Sequence, residues 1–350
     1  MYQYKIHNLV AGILILVLLC FNVWGEEESA VPVKISFPAM GTKFEFIIYV
    51  QDKDMLEEDV RNLCAPAMEE VYKLERHISH YMEDNNLARL NKSAGMGKVA
   101  VNNDLCEAFK LSRIFWERTG GAFDPTVGPL LELWGFRGKP REFPPSDAEI
   151  EEVKKRVGFE KVKIDEKGCY VELTVPGMKV DFGGIGKGMA LDRAGRILKE
   201  LGINNALLHS GTSSVLALGS PPNKSGWKIG IRSPYNRKEE VESFEICNES
   251  LSTSSISEQF LEQSGKKLGH IFDPRVGRPV DNDVLSVTVI TKCASESDAL
   301  STAFYVLGKD KTIEYCKKFP EVKVFMLLKG NEVNELKKEY INLNRSEELP

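Results

Sequence analysis

Four short clusters in the chain combine residue types that could carry chemistry. The first is the run Asp181-Phe-Gly-Gly-Ile-Gly-Lys-Gly188, between a predicted strand and a predicted helix. Glycines let the backbone approach a ligand closely, amides at a helix start attract phosphate oxygens, and Lys187 adds a positive charge. The spacing fits neither the P-loop nor the dinucleotide-binding fingerprint. We therefore expect a phosphate-contacting loop of another kind, with a flexible turn and a solvated lysine as the alternative.

The second cluster is Asp298-Ala-Leu-Ser-Thr302. Residues four apart share a face of a helix, so the Asp298 carboxylate and the Thr302 hydroxyl can reach one hard cation. Mg²⁺ accepts few protein ligands and keeps positions for water and phosphate. The alternative is that Asp298 caps its helix or interacts with the helix dipole. Ser295 or Ser297 could provide that cap instead, which would leave the carboxylate for a cation.

Two further clusters each contain a Pro/Gly turn. In His270-Ile-Phe-Asp-Pro-Arg-Val-Gly277, the imidazole of His270 could deprotonate a hydroxyl nucleophile, although a single histidine on a strand is more often structural. The other cluster is Gly120-Gly-Ala-Phe-Asp-Pro-Thr-Val-Gly-Pro-Leu130, followed by Leu133-Trp-Gly-Phe136. Its aromatic side chains and carboxylate could contact a ring system. The alternative is a structured loop over the core.

Charge and cysteine spacing exclude several classes of protein. The 350 residues include 46 Lys and Arg against 51 Asp and Glu, a formal net charge of -5. A protein that coats nucleic acid needs clustered cations to replace counterions, so we expect no nucleic-acid partner. The seven scattered cysteines form no CxxC pair and no HExxH motif occurs, so metal and redox motifs of those kinds are not supported. We expect mostly buried thiols, and the sequence cannot pair a disulfide.

Residues 1–25 are expected to be an export signal rather than part of the fold. Lys5 is the only charge before Glu26, and the apolar run 9–21 is too short to span a bilayer of about 30 Å. Cleavage before Glu26, a lipid anchor at Cys20 and an uncleaved membrane anchor are the alternatives. Each of them predicts an exported protein on the periplasmic side of the cell membrane.

The clusters must be positioned by an α+β fold of antiparallel sheets flanked by helices, without a linker or an internal repeat. Short turns after residues 165 and 175 imply antiparallel pairing, because parallel strands need long connections. Strands are expected at 33–37, 44–48, 161–165, 170–175, 178–182, 205–208, 227–231, 268–272 and 284–291. One helix is expected near Pro66, which marks its start or a kink, and another at 104–119. Further helices are expected from the Ser146–Glu149 capping box to Gly158, from the Gly-rich run 181–188 to Gly202, and from Ser295 onward.

Together the clusters resemble the ApbE family of FAD:protein FMN transferases, also called flavin transferases. Any one motif is weak, but six in family order make a specific match across residues 40 to about 308. The matching elements are Met40-Gly-Thr42; Ser79-His-Tyr-Met-Glu-Asp84 with Leu90-Asn91; Ala122-Phe-Asp-Pro-Thr-Val-Gly128; Asp181 to Gly188; His270-Ile-Phe-Asp-Pro-Arg275; and Asp298 to Thr302. The resemblance implies a T-fold-like architecture with one flavin-transferase domain over residues 30–335, followed by a polar tail over 336–350.

The resemblance also implies a reaction and its partners. Such enzymes split the pyrophosphate of FAD with the help of Mg²⁺ and join FMN to a threonine of an acceptor protein through a phosphoester bond, and AMP leaves. Their acceptors are typically exported or membrane-bound redox subunits, which suits the predicted signal. A Mg²⁺-dependent FAD pyrophosphatase and a non-catalytic exported FAD-binding protein are the alternatives.

Site residues follow from the resemblance position by position. The FAD site would comprise Met40, Tyr81, Ala122, Phe123, Asp124, Asp181, Lys187 and Phe272. Mg²⁺ would be held by Asp298, Thr302 and the backbone carbonyl of Gly184, and His270 would help the acceptor hydroxyl to lose its proton. The chain departs from the family pattern at Leu208-His-Ser-Gly-Thr-Ser-Ser214, where many members have Gly-Gly before an acid or Asn, and at Met82 and Asn85. These departures concern acceptor contacts more than the Mg²⁺ site.

Overall fold

An eight-stranded antiparallel sheet is the centre of the structure. The structure is a computed structural model that describes residues 31–50, 55–256, 260–263 and 266–343. The strands of this sheet in spatial order are β1 (Val33–Ala39), β2 (Thr42–Ile48), β6 (Ala206–Ser210), β7 (Ser214–Leu218), β10 (Ser250–Ser255), β15 (Val284–Thr291), β16 (Lys323–Lys329) and β17 (Leu336–Ile341). Smaller antiparallel sheets contain β3 (Val99–Ala100), β5 (Tyr170–Leu173) and β4 (Val162–Asp165); β8 (Trp227–Arg232) and β9 (Glu240–Ile246); β11 (Phe260–Gln263) and β12 (Lys266–Gly269); and β13 (Phe272–Asp273) and β14 (Arg278–Pro279). The predicted α+β class with antiparallel sheets is confirmed.

The helices are α1 (Glu57–Ile78), α2 (Asn86–Lys92), α3 (Asn103–Arg118), α4 (Gly128–Leu133), α5 (Asp147–Lys154), α6 (Gly186–Glu200) and α7 (Ala294–Lys318), with non-helical geometry in α7 at Gly308. Of these, α1, α6 and α7 pack against one face of the large sheet. Phe44 and Phe46 of β2 are fully buried in the core on this side. On the opposite face a second core contains Trp227 and Ile246 of the β8–β9 hairpin. Because the sheet is covered on both faces, β15 is buried along its whole length.

Several local signals in the sequence produced the expected elements. The β1–β2 hairpin turns through Met40 and Gly41, which both have positive φ, 54° and 69°, as a tight two-residue turn between twisted strands requires. The amide of Met40 donates to Glu75 Oε1 at 2.7 Å, which ties this turn to α1. The Ser146–Glu149 capping box is present with both of its hydrogen bonds at the start of α5. Helix α5 ends at Lys154, however, four residues before the predicted Gly158.

Three expectations about the elements are wrong. Pro66 does not mark the start of α1, which begins nine residues earlier, at Glu57; the alternative of a kink at Pro66 stays a prediction. Residues 178–182 are not a strand, because the Asn91 side chain binds both backbone groups of Val180, at 2.9 and 3.1 Å, in place of a neighbouring strand. The polar segment after residue 335 does not form a separate tail, since Leu336–Ile341 is the edge strand β17 and pairs with β16.

The start of α6 and the start of α7 hold each other through two carboxylates. Neither helix has a side-chain cap of its own. Asp192 of α6 accepts hydrogen bonds from the amides of Ala294 at 2.7 Å and Ser295 at 2.9 Å, at the start of α7. In return, Asp298 of α7 accepts the amide of Gly188, in the first turn of α6, at 3.0 Å. Each helix therefore supplies the acceptor for amides that the other leaves unsatisfied.

This exchange corrects the expectation that Ser295 or Ser297 caps α7. The hydroxyl of Ser297 instead donates to the carbonyl of Ala294 at 3.1 Å. Burial raises the pKa of the Asp192 carboxyl, and the hydrogen bonds from Ser295 and Ala294 act in the opposite direction. Asp298 does act as a cap, as the alternative interpretation of the sequence held, but for the amide of another helix.

The other expectations concern the N-terminus and the cysteines. Residues 1–25 lie outside the described residues, so the signal remains a prediction. No helix among the described residues combines the length and the apolar character needed to cross a membrane. All six cysteines of the described part are free thiols; Cys64, Cys106 and Cys316 are buried, whereas Cys247 and Cys293 are exposed. The expectation of mostly buried thiols therefore holds for half of them.

Substitution of Gly188 by Ala should separate α6 from α7. A Cβ at this position would lie 2.6 Å from the Cα of Ser295 and closer still to the carbonyl of Ala294, so backbone has to move. We expect Gly188→Ala to lower the free energy of unfolding by about 3 kcal/mol in denaturant titrations. Gly269→Ala is the control, because its Cβ would meet only Ile256, at 3.8 Å. Equal stability of the two variants would contradict the close approach of the helices.

Candidate functional site

A cavity of about 230 Å³ lies beside the starts of α6 and α7. Residues from well-separated parts of the chain line it, including the β1–β2 turn, the end of α1, the Gly-rich run and the segment before β13. All twelve predicted site residues are among the lining residues: Met40, Tyr81, Ala122, Phe123, Asp124, Asp181, Gly184, Lys187, His270, Phe272, Asp298 and Thr302. The fold thus brings the predicted set together in one place, and their roles remain predictions.

Asp298 provides a buried carboxylate in the wall of the cavity. Its side chain accepts one hydrogen bond on each oxygen, from the Gly188 amide and from the Ser214 hydroxyl at 3.2 Å. The residue is only 5% exposed, and no salt bridge within the described part of the chain reaches it. A buried carboxylate normally has a cationic partner or a metal ion, because leaving water as an unpaired ion is costly. Each of its oxygens also keeps a lone pair for a further ligand.

Gly184 and Thr302 place two more oxygen donors next to this carboxylate. A Cβ on Gly184 would lie 3.4 Å from Thr302 Oγ1, so the loop passes close to α7 here. The Gly188 amide, in the first turn of α6, has no acceptor within its own helix and donates to Asp298, while Gly184 precedes the helix. Among the described residues no backbone amide donates to the Gly184 carbonyl. The carbonyl therefore remains available to a ligand.

These three donors fit a magnesium ion. A carboxylate, a hydroxyl and a carbonyl are hard oxygen ligands, and Mg²⁺ uses few protein ligands together with water and substrate phosphates. The described residues contain no group of three or more His, Cys, Asp and Glu side chains that could hold a metal ion. A site that binds Zn²⁺ through nitrogen and sulfur ligands is therefore not formed by the part of the chain that the structure covers.

The Gly-rich run offers a ligand fewer amides than the sequence predicts. Five of its amides donate to acceptors inside the protein: Asp181 to Pro125, Gly183 to Asp181, Ile185 and Gly186 to Phe182, and Gly188 to Asp298. Lys187 contributes the positive charge, and its ammonium donates to the hydroxyl of Ser213 at 2.7 Å. Ser213 lies in the segment 208–214 that departs from the family pattern. Lys187 thus supplies a full positive charge to the cavity, whereas most amides of the run are already bound.

Asp181, which also lines the cavity, joins two residues that the sequence analysis did not select. Arg137 forms a salt bridge with Asp181 Oδ2 at 3.2 Å, and His80 Nδ1 lies 3.4 Å from Oδ1. The guanidinium of Arg137 also lies 5.4 Å from the centre of the Tyr81 ring, as in a cation–π contact. Burial lowers the pKa of His80, and the neighbouring carboxylate of Asp181 opposes that shift. His80 lies within the quoted motif Ser79 to Asp84 and Arg137 directly follows the quoted Phe136, and those positions were the available signals.

Asp124 lines the cavity but serves mainly to hold its own loop. One of its oxygens accepts the amide and the hydroxyl of Thr126, at 2.8 and 2.6 Å, and the other accepts the amide of Phe159 at 3.0 Å. Burial raises the pKa of Asp124 to about 6, against these hydrogen bonds. The carboxyl therefore changes charge near neutral pH, which is unusual for an aspartate.

Aromatic side chains form part of the cavity wall in two layers. Phe123 and Phe272 line the cavity itself. Trp134 and Phe136, which the sequence suggested as an aromatic wall, do not line it; they pack behind Phe272 with ring centres 5.9 and 5.7 Å away. Their contact with a ring system is therefore indirect, through the orientation of Phe272.

Comparisons with known proteins agree with this arrangement. Residues 40–326 match the model of the ApbE family. The chain is 31% identical to the FAD:protein FMN transferase of Escherichia coli (strain K12) over 72% of each chain. It is 31% identical to that of Treponema pallidum (strain Nichols), over 76% of this chain and 78% of the relative.

Solved structures also resemble the fold closely. The flavin transferase ApbE from Vibrio cholerae superposes with a TM-score of 0.79 at 27% identity, over 89% of this chain and 97% of the other. The ApbE protein of Thermotoga maritima gives a TM-score of 0.78 at 30% identity, with the same coverage of the two chains. Similarity therefore extends over nearly the whole described structure.

The raised pKa of Asp124 predicts a pH dependence of stability. The folded protein keeps this proton up to pH about 6, whereas an unfolded aspartate loses it near 3.8. Asp124 thus contributes stability that is complete below pH 4 and lost as the pH rises to about 6. We expect the stability of the wild type relative to Asp124→Asn to fall by about 3 kcal/mol over this window in denaturant titrations. Parallel pH curves for the two proteins would contradict the shift.

Proposed function

Because this chain belongs to the ApbE family, we propose that it transfers FMN from FAD to an acceptor protein. The observation that carries the proposal is the convergence of all twelve predicted residues on one cavity. The lining of that cavity includes oxygen donors and a lysine, which suit phosphate groups and a cation. It also includes aromatic and polar side chains, which suit a planar ring. FAD has both kinds of group in one molecule.

The proposed reaction is a phosphoryl-type transfer onto a threonine. The hydroxyl oxygen of the acceptor threonine forms a bond to the phosphorus of the FMN half, and the bond from that phosphorus to the bridging pyrophosphate oxygen breaks. AMP leaves with the bridging oxygen, and the hydroxyl proton goes to a base. Such reactions depend on positioning and on neutralisation of charge more than on covalent chemistry by the protein.

Asp298, Thr302 and the Gly184 carbonyl would hold Mg²⁺ beside the phosphates of FAD. When bound, the ion supplies positive charge that offsets the charge developing on the phosphate oxygens. Ser214 and the Gly188 amide fix both oxygens of the Asp298 carboxylate, so its orientation is set before a ligand arrives. The ammonium of Lys187, held by Ser213, adds a second positive charge toward the pyrophosphate.

His270 is the proposed acceptor of the threonine proton. It lines the same cavity as Asp298 and Lys187, at the start of the segment that leads into β13. An imidazole is suited to this task because its ordinary pKa lies near neutral pH. Asp181 and Tyr81 would contact a ring system of FAD, and Phe272 would form part of the cavity wall around it.

The proposed setting is outside the cytoplasm, at the periplasmic side of the membrane. The apolar run within residues 1–25 supports export, with cleavage, lipid attachment at Cys20 and retention as an anchor still open. An exported or membrane-bound redox subunit is accordingly the proposed acceptor. A product assay with FAD, Mg²⁺ and such a subunit tests the function. Covalent flavin fluorescence on the acceptor supports a transferase; free FMN with AMP indicates a hydrolase, and unchanged FAD a binding protein.

Asp298→Asn should abolish transfer without unfolding the protein. The amide keeps the size of the side chain but loses the charge that holds a cation, so we expect at least about a 100-fold lower rate of acceptor flavinylation. Asp192→Asn is the matched control, because this carboxylate takes part in the same helix exchange but does not line the cavity. It should lose stability and keep a rate per folded molecule within a few-fold of the wild type. Equal losses in both variants would contradict the metal assignment.

His270→Ala should lower the rate constant of transfer and leave the affinity for FAD unchanged. Loss of a general base typically costs about 100-fold or more. The measurement is single-turnover flavinylation of the acceptor, together with FAD binding followed by flavin fluorescence. His209→Ala is the control, because this histidine lies on β6 outside the cavity. Full transfer by His270→Ala with normal FAD binding would remove His270 from the mechanism.

A further inference from the structure

Hydroxyl groups, rather than apolar side chains, fill the interface between β10 and the first turns of α7. Ser250, Ser252 and Ser254 alternate along β10, so all three point to the same face. Ser250 and Ser252 each lie 2.9 Å from the hydroxyl of Ser297, and Ser254 lies 2.9 Å from that of Ser301. The five residues are 0 to 7% exposed. Such a buried polar contact stabilises a fold only when its hydrogen bonds are satisfied.

The direction of these hydrogen bonds follows from the supply of protons. A serine or threonine hydroxyl has one proton and two lone pairs. The proton of Ser301 goes to the carbonyl of Asp298, at 2.9 Å. In the contact between Ser254 and Ser301, Ser254 must therefore be the donor. The oxygen of Ser254 then has only lone pairs left for any other neighbour.

That other neighbour is Thr302, the proposed hydroxyl ligand of Mg²⁺. Its Oγ1 lies 3.5 Å from Ser254 Oγ and 3.5 Å from the carbonyl of Asp298. The Asp298 carbonyl already accepts the hydroxyl of Ser301, so the remaining lone pairs of Ser254 are the less occupied acceptor for the Thr302 proton. Hydrogen bonds thus run from Thr302 to Ser254, from Ser254 to Ser301 and from Ser301 to Asp298.

The consequence concerns what Thr302 presents to the cavity. A hydroxyl can bind a cation only through a lone pair, so its proton must point elsewhere. We propose that Ser254 is a positioning residue that accepts the Thr302 proton and thereby orients the lone pairs of Thr302 toward Mg²⁺. This inference rests on the proposed function, because it assumes the cation site of Asp298, Thr302 and Gly184. Partners of metal ligands that act in this way typically change metal affinity 10- to 100-fold when they are removed.

The experiment compares Ser254→Ala with Ser252→Ala. Both variants remove one hydroxyl from the same strand and the same interface, but only Ser254 lies next to Thr302. The melting temperature of the full-length protein is followed in a MgCl₂ titration without FAD, starting from chelator. Transfer rates are measured in a parallel MgCl₂ titration. We expect Ser254→Ala to need about 10-fold more Mg²⁺ for half of the response in both titrations. For Ser252→Ala, the Mg²⁺ concentration at half of the response should match that of the wild type within two-fold.

The possible outcomes separate the two proposals. If the wild type responds to Mg²⁺ and Ser254→Ala responds at the same concentrations, the role of Ser254 is wrong and the cation site stands. The role of Ser254 is equally wrong if Ser252→Ala shifts as much as Ser254→Ala, because the effect then comes from the interface in general. If neither the melting temperature nor the transfer rate of the wild type changes with Mg²⁺, the proposed cation site is wrong, and the proposed role of Ser254 is then wrong as well.

Discussion

The exchange of carboxylates between α6 and α7 is the constraint on which the site depends. Asp192 accepts hydrogen bonds from two amides at the start of α7, and Asp298 accepts one from an amide at the start of α6. The exchange requires the helices to touch, which is why the contact point is Gly188. One set of hydrogen bonds therefore joins the helices and orients the Asp298 carboxylate.

The same arrangement explains how an acidic protein can bind an anionic dinucleotide. With a formal net charge of -5, the chain has no overall field to attract FAD, so the attraction has to be local. Helix starts carry partial positive charge, which stabilises Asp298 in its buried position. Lys187 and a cation bound to Asp298 would then supply the positive charge that attracts the phosphates of FAD. Arg137 is neutralised by Asp181, so it contributes shape and a ring contact more than net charge.

Local signals in the sequence predicted the hairpin and the capping box, because each depends on neighbours in the chain, whereas the grouping of the site residues was predicted from the family resemblance. The missed features depend on partners far away. Strand β10 escaped detection because its inward-facing residues are serines that bind α7, so it lacks the apolar alternation of a half-buried strand. Residues 178–182 did alternate, but the side chain of Asn91 replaced their partner strand. Arg137 acquires a role only when folding places Asp181 and Tyr81 beside it.

The most direct test of the proposed cation site is a crystal structure of the protein grown with Mn²⁺ and recorded at a wavelength where manganese scatters anomalously. Mn²⁺ prefers the same oxygen ligands as Mg²⁺, and its anomalous signal identifies it without ambiguity. We expect one strong peak within bonding distance of Asp298, Thr302 Oγ1 and the Gly184 carbonyl. The amide of Gly188 should still donate to Asp298 in that structure. A peak elsewhere in the cavity, or a carbonyl of Gly184 bound by the Gly188 amide, would contradict the proposed site.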